Sequence, residues 1–124
     1  MACIYSAFCN RGNIIKPYLL YKRTPDVKYW MEEAFCDETV NHVLKGMKGV
    51  VNNPYGTGYE AYFDDIALAG KTGTAEIDNG KETIGWVSAV NENIAITMMV
   101  DKTKDKGYSQ YVLPKVQKIL TEVK

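Results

Sequence analysis

Lys71-Thr72-Gly73-Thr74, inside the run Ala67 to Glu76, is the stretch of this 124-residue sequence whose residue types and spacing could do chemistry. The lysine ammonium is a fixed positive charge that stabilises an anionic substrate group and biases nearby proton transfers. Gly73 carries no Cβ, so an extended substrate can approach the backbone and add to a sheet edge. Thr72 offers a short hydroxyl for a carboxylate. On a strict period of two it faces away from Lys71, so strand twist must bring both to one groove. The backbone N–H of Thr74 can act as an oxyanion donor, and loss of one such donor typically costs ~10²–10³ in rate. These groups would form one wall of an acylation groove. Taken by itself, the tripeptide reads more readily as an exposed strand with a solvated lysine, and its surroundings decide the matter.

Two nucleotide-binding patterns fail on context. Gly56-Thr57-Gly58-Tyr59-Glu60-Ala61 fits the dinucleotide fingerprint, but a helical pattern and Asn53-Pro54 precede it where a strand belongs, which leaves a glycine loop. Gly70-Lys71-Thr72 resembles the end of a phosphate-binding loop, yet Asp65 stands where the first glycine is required and a hairpin follows in place of a helix. Lys plus Arg equals Asp plus Glu at 15 each, so no global field favours nucleic acid or anionic lipid. No apolar run approaches the ~18 residues of a membrane span, and the N-terminus lacks a signal-peptide pattern. Any anchor of a parent protein is expected upstream of Met1, with no membrane contact by this segment. Cys3, Cys9 and Cys36 form no Cys-x-x-Cys and read as small, partly buried thiols. His42 has no second ligand at metal spacing, so neither metal nor cofactor is expected.

The elements that must position the lysine strand follow from periodicity, and they predict one α/β (α+β) unit over residues 1–124. Ile4, Tyr5, Ala7 and Phe8 recur at helical spacing and Gly12 closes the helix. Asn13 to Tyr21, around Pro17, reads as an edge strand or extended segment, and Lys22 to Lys28 as a loop. From Asp37 as N-cap, Val40, Val43, Leu44, Met47, Val50 and Val51 share one helical face until Asn52-Asn53-Pro54 stops it. Ile66 to Glu76 is a strand, Asp78-Asn79-Gly80 a hairpin turn, and Thr83 to Val90 its partner. After a second turn at Asn91-Glu92-Asn93 comes the strand Ile94 to Val100, which completes an antiparallel meander. A terminal helix carrying Val112, Val116, Ile119, Leu120 and Val123 covers one face, with its start blurred by Pro114.

Lys-Thr-Gly on a strand is the third signature of serine acyl-transferases that react with penicillin, which also need Ser-x-x-Lys and a Ser-x-Asn-type motif. Neither is present: the residues three beyond Ser6, Ser88 and Ser109 are Cys9, Asn91 and Val112, and none has Asn two residues on. The surroundings nonetheless match a family. Gly56-Thr57-Gly58, Leu68 to Glu76, and Gly85-Trp86-Val87, in that order and spacing, resemble the end of the transpeptidase domain of class B penicillin-binding proteins. Ile4 to Phe8 followed by Gly12 to Leu20 looks like the helix and strand that precede it there. Met98-Met99-Val100-Asp101 and Asp105-Lys106-Gly107-Tyr108-Ser109 are most similar to the low-affinity branch associated with methicillin-type resistance. The resemblance covers nearly the whole chain.

That resemblance implies a partial penicillin-binding/β-lactamase-like fold and D,D-transpeptidation on the extracytoplasmic side of the bacterial membrane. The implied partners are peptidoglycan stem peptide, β-lactams, and the missing N-terminal part of the same domain. Lys71 and Thr72 would hold the carboxylate region, the Thr74 amide would complete the oxyanion hole, and Glu76 would lie at the groove rim, with Gly73 in the substrate-binding wall. Trp86 would pack behind the site, or simply fill a small core. Without a nucleophile the chain is expected to be inactive alone. A β-lactam sensor or class D β-lactamase fragment, or a free-standing non-catalytic module, are the alternatives.

Overall fold

The computed structural model describes residues 1–21, 23–61 and 68–123. The chain opens with α1 (Ala2–Ser6), continues in turns, and reverses at Gly12, whose N–H reaches the Ala7 carbonyl at 2.8 Å. Gly12 has a φ of 81°, and a Cβ there would lie 1.8 Å from the Phe35 carbonyl oxygen, so the expected left-handed stop is required twice over. Within the edge strand or extended segment expected over 13–21, β1 (Ile14–Ile15) is strand and pairs with β2 (Tyr29–Met31) in a two-stranded ribbon. Its ladder ends with the Lys16 N–H donating to Lys28 at 2.8 Å, because Pro17 has no N–H to continue it.

Next, α2 (Asp37–Asn52) buries Val40, Met47 and Val51. Its N-cap is Cys36, not Asp37; Asp37 and Glu38 lie in the first turn, where their charge complements the helix dipole. Val43, expected on the buried face, is exposed. Asn53 adopts an extended conformation ahead of Pro54, as the ring of a following proline demands, and the helix stops where expected.

The meander is present: β3 (Ala69–Ile77), β4 (Glu82–Val90) and β5 (Ala95–Val100) pair antiparallel in the order β3-β4-β5. Ile66 and Ala67, expected to open the first strand, lie outside the described residues. Asp78, Asn79 and Gly80 all take positive φ in the β3–β4 turn, which suits Asp, Asn and Gly. At the second turn the Asn91 side chain accepts the N–H groups of Asn93 and Ile94 at 2.9 and 2.8 Å, so pairing begins at Ala95 instead of Ile94. Two 3₁₀ turns (Lys104–Lys106 and Tyr108–Tyr111), not foreseen from periodicity, lead into α3 (Leu113–Glu122). Pro114 sits in its first turn, the one place where a missing N–H costs a helix nothing.

The two faces of the meander are covered differently. On one, Val87 and Ala89 pack with Ile96, Met98 and Val100 against Val112, Leu113, Val116 and Leu120, with Leu68 and Val51 in the same cluster. On the other, Ala69 and Val90 meet Met47, with Tyr5, Phe8 and Leu44 packed beside them. The first cluster is the main core; the second covers only the end of the sheet opposite the β3–β4 turn.

Candidate functional site

Strand alternation sorts the residues of β3. Gly73 stands opposite Trp86, and Lys71 opposite Ser88, which in turn pairs with Thr97. These residues share the less covered face. Thr72, opposite Val87, belongs to the core face and is buried. A cavity of about 340 Å³ lies along the strand. Residues 71–75 of β3 form one wall, Trp86 and Ser88 line it from β4, and Met1 and Tyr5 close it from the α1 side. Its lining is mainly apolar, with one cationic side chain.

Four of the five expected site residues, Lys71, Thr72, Gly73 and Thr74, border this cavity. Glu76 does not. It is exposed towards the hairpin end, with its carboxylate 3.7 Å from where a Cβ on Gly80 would sit. Lys71 is exposed, and its ammonium donates to the Thr72 carbonyl at 2.6 Å, so the charge is folded along the strand. Ser88, which sequence reasoning passed over as a failed nucleophile, is buried beneath the lysine with its hydroxyl 2.9 Å from that of Thr97. Its place one residue pair from Trp86, and opposite Lys71, was readable once the hairpin register was set.

Thr72, expected to reach one groove with Lys71 through strand twist, borders the same cavity as Lys71, and its hydroxyl has a partner of its own. Thr72 Oγ1 lies 2.8 Å from Thr57 Oγ1, in the Gly56-Thr57-Gly58 loop that follows α2. The alternation of β3 is kept, so Lys71 and Thr72 belong to opposite faces of the strand, and both nonetheless border the cavity along it. The role of Thr57 was missed from sequence. The two glycines beside it pack on the end of α2, which period and spacing do not show.

Gly73 differs from the glycines that serve packing. A Cβ built on it would meet only the Trp86 Cβ, at an ordinary 3.5 Å. Nothing among the described residues requires a glycine there, whereas an extended ligand lying against the backbone would. The thiols stand apart from this wall. Burial pushes the Cys9 thiol up from its ordinary value, and a hydrogen bond with the Thr39 hydroxyl at 3.2 Å draws that of exposed Cys36 down.

Comparison with known proteins agrees with this geometry. Residues 1–122 match the family described as penicillin binding protein transpeptidase domain. Penicillin-binding protein 3 of Bacillus subtilis is 32% identical over 95% of this chain, which spans 19% of that protein. Penicillin-binding protein 1A of Streptococcus pneumoniae is 31% identical over 98% of this chain and 18% of its own length. Among solved structures, the D,D-transpeptidase domain of a peptidoglycan glycosyltransferase from Eggerthella lenta superposes with a TM-score of 0.73 at 26% identity, covering 98% of this chain and 31% of that one. The apo transpeptidase domain of Burkholderia pseudomallei penicillin-binding protein 3 gives 0.77 at 20% identity, with 98% and 40% covered, and shows the same fold. The chain thus spans under a fifth of the curated relatives it matches. With that family model matching residues 1–122, this chain belongs to the penicillin-binding protein transpeptidase domain family.

Proposed function

We propose that this chain is the C-terminal portion of a peptidoglycan D,D-transpeptidase domain and supplies the Lys-Thr-Gly wall of its serine acyl-transfer site. The observation that carries this reading is the cavity along β3, bordered by Lys71, Thr72, Gly73 and Thr74, where no described residue demands a glycine at Gly73. In the reaction, a serine from outside this sequence attacks the penultimate D-alanine carbonyl of a stem peptide and expels the terminal D-alanine. An amine of a neighbouring stem then resolves the acyl-enzyme, while a β-lactam acylates the same serine and stays. Lys71 contributes positive potential beside the attacking oxygen, Thr72 donates to the terminal carboxylate, and the Thr74 N–H faces the developing oxyanion. Gly73 lets the peptide lie against β3. Glu76 forms the outer rim towards the β3–β4 turn.

The nucleophile-bearing part of the domain would cover the open face of the sheet, where Met1, Ile4 and Met99 are exposed. Among the described residues no helix is long and apolar enough to cross a membrane. The family supports an extracytoplasmic setting for the parent, with any membrane anchor in another part of it. The Met98–Asp101 and Asp105–Ser109 segments favour the low-affinity branch, for which slow β-lactam acylation is the expected sign. The test is to detect the native protein in its source cells with an antibody against this chain and read its mass with and without penicillin. The expected result is a larger, membrane-attached species that gains the mass of one β-lactam. A species of 13.9 kDa without an adduct would overturn the proposal.

A further inference from the structure

The Gly56-Thr57-Gly58 loop has no part in the chemistry above, yet it is built with unusual tightness around one side chain. A Cβ on Gly56 would lie 2.1 Å from the Val50 carbonyl oxygen, and one on Gly58 would lie 3.1 Å from the Val50 side chain. Both glycines are therefore flush against the last turns of α2. The Gly58 N–H donates to the Val50 carbonyl at 3.0 Å and the Gly56 N–H to Asn53 at 2.7 Å. From the other side, the Gln110 amide donates to the Thr57 carbonyl at 3.3 Å, and Gln110 is itself held by the Ser109 hydroxyl at 3.1 Å. The residue fixed by these contacts is Thr57, whose own side chain is exposed and ends 2.8 Å from the hydroxyl of buried Thr72.

Two hydroxyls at that distance share one proton between them, and the direction of sharing decides what Thr72 can do. If Thr72 donates, it presents only lone pairs outward and repels an anion. If Thr57 donates, the Thr72 proton is free to point into the groove, and the Thr57 bond polarises it further. We propose that Thr57 is a positioning residue for substrate binding: its hydroxyl donates to Thr72 Oγ1 and fixes Thr72 as the donor to the carboxylate of the stem peptide or β-lactam. This rests on the acyl-transfer reading of the site. The Thr57 side chain itself does not touch the substrate. The Thr72 hydroxyl is thereby oriented by a second loop.

The experiment uses the full-length protein that carries this chain, with wild type, Thr57→Val and Thr57→Ser compared in time-resolved acylation by benzylpenicillin. Half-saturation and limiting acylation rate are read separately. For Thr57→Val the half-saturating concentration is expected to rise about tenfold, or ~1.4 kcal/mol, with the limiting rate changed by less than about twofold. Thr57→Ser is expected to restore binding to within about threefold of wild type. The distinguishing probe is the methyl ester of the same penicillin: without a carboxylate, it should lose the difference between wild type and Thr57→Val. An equal loss on acid and ester, a loss in limiting rate alone, an unchanged half-saturation, or a serine variant no better than valine would each overturn the proposal. Should circular dichroism show that the valine variant does not fold, Thr57→Ala takes its place under the same criteria. A wild-type protein that is not acylated at all would remove the acyl-transfer reading and Thr57's role with it, whereas an acylated wild type with an indifferent Thr57→Val would remove only the latter.

Discussion

Gly85 and Gly73 sit on neighbouring strands of one hairpin and face opposite sides of the sheet, yet an added methyl group would meet very different surroundings. At Gly85 it would lie 2.8 Å from the Tyr108 carbonyl oxygen and 2.9 Å from a Val112 methyl. At Gly73 it would find only the Trp86 Cβ at contact distance, beside a cavity. The Gly85 face is complete, with its apolar groups enclosed by α3 and the segment before it. The opposite face is enclosed at one end by Met47 and the aromatic residues of the α1 region, and carries Lys71 in the site wall. One side of the sheet therefore stores stability, while the other keeps room and charge for a ligand. A residue's consequence should follow from the side it faces.

The largest effects should separate along that line. Leu120, 1% exposed, anchors α3 to the complete face. Leu120→Ala is expected to cost ~2–5 kcal/mol in the native protein, measured by denaturant unfolding. On the open face, Lys71→Met should leave unfolding within about 0.5 kcal/mol of wild type, as expected for an exposed position. The same change should slow β-lactam acylation by ~10²–10³, the usual scale for removing an electrostatic stabiliser. If Lys71→Met melted like Leu120→Ala, the lysine would be structural and the division between the faces would be wrong.

The two glycines provide a smaller and sharper contrast. Gly85→Ala forces either the Tyr108 backbone or Val112 to move, and should destabilise by ~1–3 kcal/mol. Gly73→Ala adds the same methyl where it fits, so stability should hold to about 0.5 kcal/mol. Acylation by a penicillin should nevertheless slow, because the added Cβ occupies backbone surface offered to the ligand. Unfolding curves and acylation rates on the same two variants decide the matter, and reversed rankings would assign the cavity to imperfect packing.

Much of this division is legible in the sequence. The hairpin signal at Asp78-Asn79-Gly80 sets the register, and period-two alternation from Lys71 then puts Ser88 and Trp86 beneath it. Both long helices carry apolar spacing that identifies their buried faces, although Val43 on the first and Ile119 and Val123 at the last, expected on those faces, are exposed. What could not be read depends on contacts between segments distant in sequence. The pairing of Ile14–Ile15 with Tyr29–Met31 is one case, since neither stretch shows alternation long enough to declare itself. The Thr57–Thr72 bond is another. Period two says correctly that Thr72 leaves the Lys71 face, but only the packing of a loop on the end of α2 reveals what it meets there. The 3₁₀ turns before α3 depend on left-handed conformations at Gly107 and Tyr108, and the tyrosine gives no sequence signal for one.

The smallest expected effect measures how firmly the α1 segment covers the open face. Cys9 follows Phe8, which packs on the Ala69–Val90 end of the sheet, and its half-buried thiol is pushed up by that burial. Cys36 at the start of α2 is exposed, with its thiol drawn down by the Thr39 hydrogen bond. Thiolate is the reactive form, so the alkylation profile of Cys36 should lie on the acid side of an ordinary thiol and that of Cys9 on the alkaline side. In iodoacetamide labelling read by peptide mass, Cys36 should lead at neutral pH. Its lead should narrow as rising pH ionises both thiols, until the remaining difference reflects access alone. Equal rates across the whole range would mean that α1 lifts away from the sheet readily. The open face would then extend past Lys71 to Ala69 and Val90, and a ligand or covering segment would meet a longer apolar surface than the cavity along β3.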